Sequence, residues 1–287
     1  MANVVIPRTF CARHNPSTEA WEKAVHRAKS YPYARPSASF LFENGKAVDV
    51  NAGELLQHAD ARSLVPVLAV GSNASPEQLG RKFAKLSRVS IPVVTCTLQD
   101  FDVGYAPLIT SYGSVPATLV PSTGTNVKAA VTYLSGDLLD AMHATEGAYD
   151  LRQLRKVSLL LDGGRHETEI LAYVHQLGSL NIPYSSIELS NRLCNVGPIA
   201  LSEIEAEGRK FPPLDQLQIQ HCVRQMLQAK GLANTAFSID EFILENVTDN
   251  NVRCLRAAAL GYEAQPFLHE ESEVLMSIGD INSRNVE

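Results

Sequence analysis

Two short stretches hold the residue types that could do chemistry. In "VLAVGSNASPEQLGRKF", residues 67 to 83, Gly71, Ser72 and Asn73 stand between an apolar run and a helix start. Ser75, Pro76 and Gln78 give that helix an N-cap serine, a proline at its first position and a glutamine at its third, so the loop has a fixed exit. Backbone N–H groups at Gly71, Ser72 and Asn73 could converge there as a donor site for a carboxylate or carbonyl oxygen. Glycine suits such a site because a ligand can approach its backbone closely. A tight strand-to-helix turn accounts for the same residues, and Gly-Ser-Asn is too short to decide between the two.

The second stretch is "LSGDLLDAMHATEGAYDLRQL", where Leu139, Met142 and Glu146 stand at i, i+3 and i+7. If a helix opening near Ser135 runs far enough, Glu146 lies along its apolar side, and Gly147 is a natural stop. Burial raises the pKa of an isolated carboxyl group, a direction that suits proton exchange near neutral pH. The alternative is a glutamate at a fraying end, in solvent or paired with Arg152 or Arg155.

Rival chemistry is absent from the motifs. Ser72 lacks a Gly-x-Ser-x-Gly context, and no cysteine sits in a catalytic signature. Eight histidines include no His-Glu-x-x-His pattern, so neither a metal nor an organic cofactor is expected, and His143 and His175 read as structural.

The elements that must position these residues follow from periodicity. "STEAWEKAVHRAKS" predicts a helix from Ser17, and Asn44-Gly45 between apolar runs predicts a hairpin with a type I′ turn. From residue 65, "VPVLAV", "VSIPVVTCTL", "VPATLV", "AAVTYL", "VSLLLD" and "TEILAYV" read as strands, with Asp162-Gly163-Gly164 as a hairpin turn. Helices are expected at 76–87, 136–145 and 185–194. Beyond 200, "LSEIEAEGRK", "LDQLQIQHCVRQMLQAKG" and "DNNVRCLRAAALG" read as helical, with Leu217, Cys222, Met226 and Leu227 as packing residues. The fold class expected is α+β: a mixed β-barrel core with flanking helices. Residues 1–60 form an N-terminal helix and hairpin extension, 61–205 the core and 206–287 a helical C-terminal extension.

Composition narrows the partners. Hydrophobic residues make up 45% of the 287-residue chain and charged residues 20%, which is globular usage. A net charge of -6 without a basic stripe argues against nucleic acid. Five scattered cysteines without a Cys-x-x-Cys pair fit a reducing compartment. The opening segment has too short an apolar run for a signal peptide, and no stretch approaches a membrane span. These features predict a cytoplasmic protein with no membrane partner.

In order along the chain, Val70-Gly71-Ser72-Asn73, "LQDFDVGY", "PATLVPSTGTNVKAAVTYL", "MHATEGAYDLRQL", "AYVHQL" and "IPYSSIEL" resemble the γ-glutamylcyclotransferase family over about residues 65 to 200. The resemblance implies that Glu146 is the acid/base residue, that the backbone of Gly71, Ser72 and Asn73 cradles a γ-glutamyl moiety, and that Tyr173 lines the pocket. Tyr149 is either a pocket residue or a packing residue. Members carry tyrosine before Gly-Ser-Asn, where this chain has Val70, so the pocket must differ there. Asn73 speaks against the glutathione-specific relatives, which resemble a Tyr-Gly-Ser-Leu loop. Tyr112-Gly113-Ser114 imitates the motif but precedes a strand, and is rejected as the substrate loop. The implied reaction closes 5-oxoproline by intramolecular aminolysis of a γ-glutamyl compound. Two other readings stay open: a noncatalytic binding protein, and a barrel scaffold whose flanks present an interaction surface.

Overall fold

The computed structural model describes residues 18–183 and 196–277. Helix α1 (Thr18–Lys29) leads into strand β1 (Phe40–Glu43). Asn44 and Gly45 then adopt φ of 49° and 83°, the backbone of a type I′ turn, and the chain doubles back as β2 (Lys46–Asp49) with Glu43 opposite Lys46. The expected hairpin is therefore present. Helix α2 (Ala52–Ala61), which the sequence reading did not anticipate, starts where the Asn51 side chain accepts the Gly53 N–H.

The β-branched runs that follow close on themselves. Strand β3 (Val65–Ala69) lies between two longer strands, antiparallel to β5 (Ala117–Leu134) and parallel to β7 (His166–His175). β5 pairs with β4 (Ser90–Tyr105), β4 with β6 (Tyr149–Leu161), and β6 returns to β7, all antiparallel. The result is a closed five-stranded barrel of mixed direction, and closure removes the free edges an open sheet would leave. The fold is α+β, as expected. "VPATLV" and "AAVTYL" are one strand rather than two, because β5 bulges out over residues 122–125 and its ladder with β4 resumes at Asn126.

Strand alternation sends Val67 and Ala69 to one face and Leu68 to the other. The first face packs on α3 (Pro76–Lys82) and α4 (Gly136–His143) through Leu79, Phe83, Leu138 and Met142, all buried. Burying side chains of this size contributes about 1.5–3 kcal/mol each, which seats both helices against the barrel. These helices are shorter than the expected 76–87 and 136–145, and Leu86, within the span expected for the first, lies exposed beyond its end. The helix expected at 185–194 lies outside the described residues.

The remaining chain is helix and short strand. β8 (Ser179–Pro183) pairs with β9 (Val196–Pro198), and β10 (Ala200–Leu201) with β12 (Pro213–Leu214). Between the last two, β11 (Ala206–Glu207) pairs with β5, so "LSEIEAEGRK" is not helical. Its apolar Leu201 and Ile204 enter the core from extended and turn backbone instead. α5 (Gln216–Ala229) and α7 (Asn250–Gly261) match expectation, except that Leu217 is exposed while Cys222 and Leu227 are buried. α6 (Ile239–Thr248) was not anticipated, although Ser238 and Glu241 form a complete capping box. β13 (Ala264–Gln265) joins β8, and β14 (Ser272–Met276) joins β6. No helix among the described residues is long and apolar enough to cross a membrane.

Candidate functional site

The Gly-Ser-Asn loop leaves the end of β3 as a single 3-10 turn over Ser72–Ala74, closed by the Ser75 N–H donating to the Ser72 carbonyl at 2.9 Å. Pro76 then opens α3 at a position where the missing N–H is no loss. The expected side-chain cap does not form. Ser75 Oγ and Gln78 Oε1 are buried without a partner among the described residues, and the Ser75 carbonyl accepts the Leu79 N–H instead. Backbone geometry and proline set this helix start, since neither side chain bonds to the free N–H groups.

Glu146 arrives by a different route from the one the helical spacing predicts. α4 ends at His143, and Glu146 follows in successive turns, its N–H donating to the His143 carbonyl at 3.1 Å and its own carbonyl accepting the Tyr149 N–H at 2.8 Å. It therefore projects from the link into β6 rather than from a helix face. The carboxylate is not isolated. Asn73 Nδ2 donates to Oε1 at 3.0 Å, and the Lys82 ammonium pairs with the same oxygen. Arg152 and Arg155 are not its partners, since they pair with Asp150 and Glu273. Oε2 has no hydrogen-bond partner among the described residues, although the side chain is only 11% exposed.

One cavity of about 440 Å³ gathers these groups. Val70, Gly71, Ser72, Asn73, Glu146, Tyr149 and Tyr173 all line it. Tyr149 donates its hydroxyl to the Ala117 carbonyl at 2.8 Å, and Tyr173 shares a hydrogen bond with His143 Nδ1. Burial, with the nearby charge of Glu146 adding to it, pushes both phenols well above their ordinary range, so each stays a neutral donor. Behind Tyr149, ring to ring at 5.3 Å, sits His175. Burial pulls its pKa down to about 4, and its Nδ1 accepts the Leu177 N–H at 3.2 Å, as a neutral imidazole can.

No protein-family model matches the chain, and no curated protein matches it. Among solved structures, it is similar to the Arabidopsis thaliana protein At5g39720.1, with 22% identity over 41% of this chain and 72% of that one and a TM-score of 0.32. It is also similar to a γ-glutamyl cyclotransferase, with 14% identity over 77% and 98% of the two chains and a TM-score of 0.31. A third likeness is to the uncharacterized Homo sapiens protein loc79017, with 13% identity over 86% and 99% and a TM-score of 0.25. At such identities and scores the likeness carries nothing about chemistry, which the side chains of the cavity must supply.

Two of those side chains escaped the sequence reading. Lys82 stands three residues after Leu79 on the packed side of α3, 7% exposed, and a lysine at that spacing was a legible signal. Tyr31, in the segment after α1, had none, because its partners lie far away in sequence. Its hydroxyl accepts the Ala117 N–H at 2.8 Å and lies close to the Ser72 backbone. Tyr112, rejected as part of a substrate loop, lines the cavity all the same, beneath the Arg27 guanidinium at 4.5 Å. With Arg27, Arg81 and Lys82 on the lining, Glu146 is the single carboxylate there among the described residues.

Proposed function

We propose that this cavity is the active site of an enzyme that releases 5-oxoproline and a free amine or amino acid from a γ-glutamyl compound. The observation that carries the reading is the Glu146 carboxylate. One oxygen is held by Asn73 and Lys82, the other is without a hydrogen-bond partner among the described residues, and the residue lines a cavity sized for a small molecule. The ordered segments that resemble the γ-glutamylcyclotransferase family support it.

The substrate's α-ammonium gives a proton to Glu146 Oε2, and the freed amine attacks the γ-carbonyl carbon of the same molecule. The ring C–N bond forms as a tetrahedral adduct, whose collapse breaks the old amide C–N bond as the leaving nitrogen takes the proton from Glu146; the carboxylate so freed takes the second proton from the ring nitrogen and passes it to the released amine, which departs as an ammonium. No water enters and no oxidation state changes. Asn73 and Lys82 fix the carboxylate, while the cavity wall holds the substrate folded so that amine and carbonyl meet.

Purified protein incubated with γ-glutamyl amino acids, γ-glutamyl amines and glutathione should release 5-oxoproline, read by mass spectrometry, and Glu146→Gln should abolish it. Equal release by that variant removes Glu146 from the mechanism. One observation favours a second reading, a noncatalytic binder: the Lys82 ammonium already pairs with the carboxylate that must take a proton. Tight binding of 5-oxoproline without turnover of any panel member would select it.

A further inference from the structure

Tyr31 occupies the place where the loop's donors converge. A Cβ built on Gly71 would stand 2.6 Å from the Tyr31 hydroxyl oxygen and 3.0 Å from the Ala117 Cβ, so the phenol lies directly against the loop backbone. The oxygen accepts the Ala117 N–H at 2.8 Å, with the Ser72 backbone close by. Val70, where a family tyrosine would stand, brings no hydroxyl of its own to the cavity.

A phenol has one hydrogen to give and lone pairs to receive. Here the oxygen receives the Ala117 N–H, and no acceptor for the Tyr31 hydrogen is present among the described residues. Tyr31 is 3% exposed and lines the same cavity as Glu146 and Tyr149. The cavity is what remains for its O–H to meet. Burial pushes this phenol above its ordinary range, which keeps the hydrogen in place. The Ala117 N–H drawing on the oxygen also polarises the O–H it leaves free.

We propose that Tyr31 relays the loop's donor function: the Ala117 N–H holds its oxygen against the Gly71 backbone, and its O–H binds a carbonyl or carboxylate oxygen of the γ-glutamyl ligand. The segment after α1 thereby completes the site, supplying the hydroxyl that Val70 lacks. The ligand's oxygen meets a side-chain donor in place of the bare backbone. The choice of ligand class rests on the cyclotransferase reading; the placement of the donor does not.

The test measures kcat and KM of wild type, Tyr31→Phe and a protein with 3-fluorotyrosine at position 31, on whichever panel member turns over. Binding of 5-oxoproline by calorimetry and thermal melting are followed in parallel. Tyr31→Phe should lower kcat/KM by about 10- to 1000-fold, the range for loss of one aligned donor, and weaken 5-oxoproline binding at least tenfold. The fluorinated protein, which keeps the O–H, should stay within a few-fold of wild type and so separates a lost donor from a lost fold. Activity and affinity of Tyr31→Phe within threefold of wild type would make Tyr31 a packing residue and overturn the proposal. A gain in either would make it a plug and overturn it equally. Should wild type bind 5-oxoproline but turn nothing over, the enzymatic reading fails and the binding comparison still decides on Tyr31. A wild type that neither binds nor reacts overturns both.

Discussion

Two of the buried ion pairs in this molecule are held in opposite ways. In the helical layer, Arg256 of α7 spends every nitrogen: Nε donates to the Leu232 carbonyl at 2.9 Å, Nη1 to Asn246 Oδ1 at 2.8 Å, and Nη2 to Glu245. The ring of Phe242 lies 4.6 Å beneath the guanidinium, and Asn246 is itself anchored by donating to the Phe242 carbonyl. At the cavity, Lys82 has one carboxylate oxygen and the Met142 sulfur at 3.3 Å, and Glu146 Oε2 is without a partner among the described residues. Burying charge is costly unless every donor and acceptor is used. The first pair meets that condition and reads as architecture. The second does not, and proteins tolerate such shortfalls where a ligand makes up the difference.

That contrast can be broken first at Arg256. Arg256→Ala leaves Glu245 buried and unpaired, and should cost about 3–5 kcal/mol in urea denaturation while leaving turnover per folded molecule unchanged. Glu146→Gln should do the reverse. It should lower kcat by about 100-fold or more, the scale of a lost general acid/base, with a melting temperature close to wild type. If Glu146→Gln instead unfolds the protein, the cavity pair is architectural too, and the contrast fails.

Acid should act on the cavity side through His175. Its folded pKa near 4 lies below the ordinary value of 6.5, so between these values the unfolded chain binds more protons and stability falls as pH falls. From pH 7 to 5 this amounts to about 2 kcal/mol, present in full above 6.5 and lost progressively toward 4. His175→Gln should remove that part of the pH dependence, measured by chemical denaturation at the two pH values. A third ion pair gives the smallest effect. Lys230 and Glu263 meet at 2.7 Å but are each 37% exposed, and Lys230→Ala should cost under about 1 kcal/mol.

Local rules made much of this legible from sequence. Asn44-Gly45 fixed its hairpin, Pro76 fixed a helix start, and the β-branched runs marked the barrel strands. The loop at 71–73 and Glu146, which the sequence separates by more than seventy residues, line one cavity with Tyr149 and Tyr173. What stayed hidden depended on partners distant in sequence. Pro121 and Gly124 look like breaks, yet β5 bulges there and takes up its ladder to β4 again at Asn126. Residues 201–210 have a helical pattern that pairing with β5 and β12 overrides. Tyr31 enters the site through the backbone of Ser72 and Ala117, contacts that no local spacing encodes. The capping box of α6 was legible by rule and passed over, since Ser238 and Glu241 stand three residues apart before an apolar run.

The most direct test of the central claim is to run the reaction in water enriched in oxygen-18 and weigh the products. Intramolecular aminolysis predicts 5-oxoproline carrying no heavy oxygen, no glutamate, and loss of the product in Glu146→Gln. Glutamate carrying one oxygen-18 atom would mean that water, and not the substrate's own amine, attacks the γ-carbonyl, and would contradict the cyclotransferase reading.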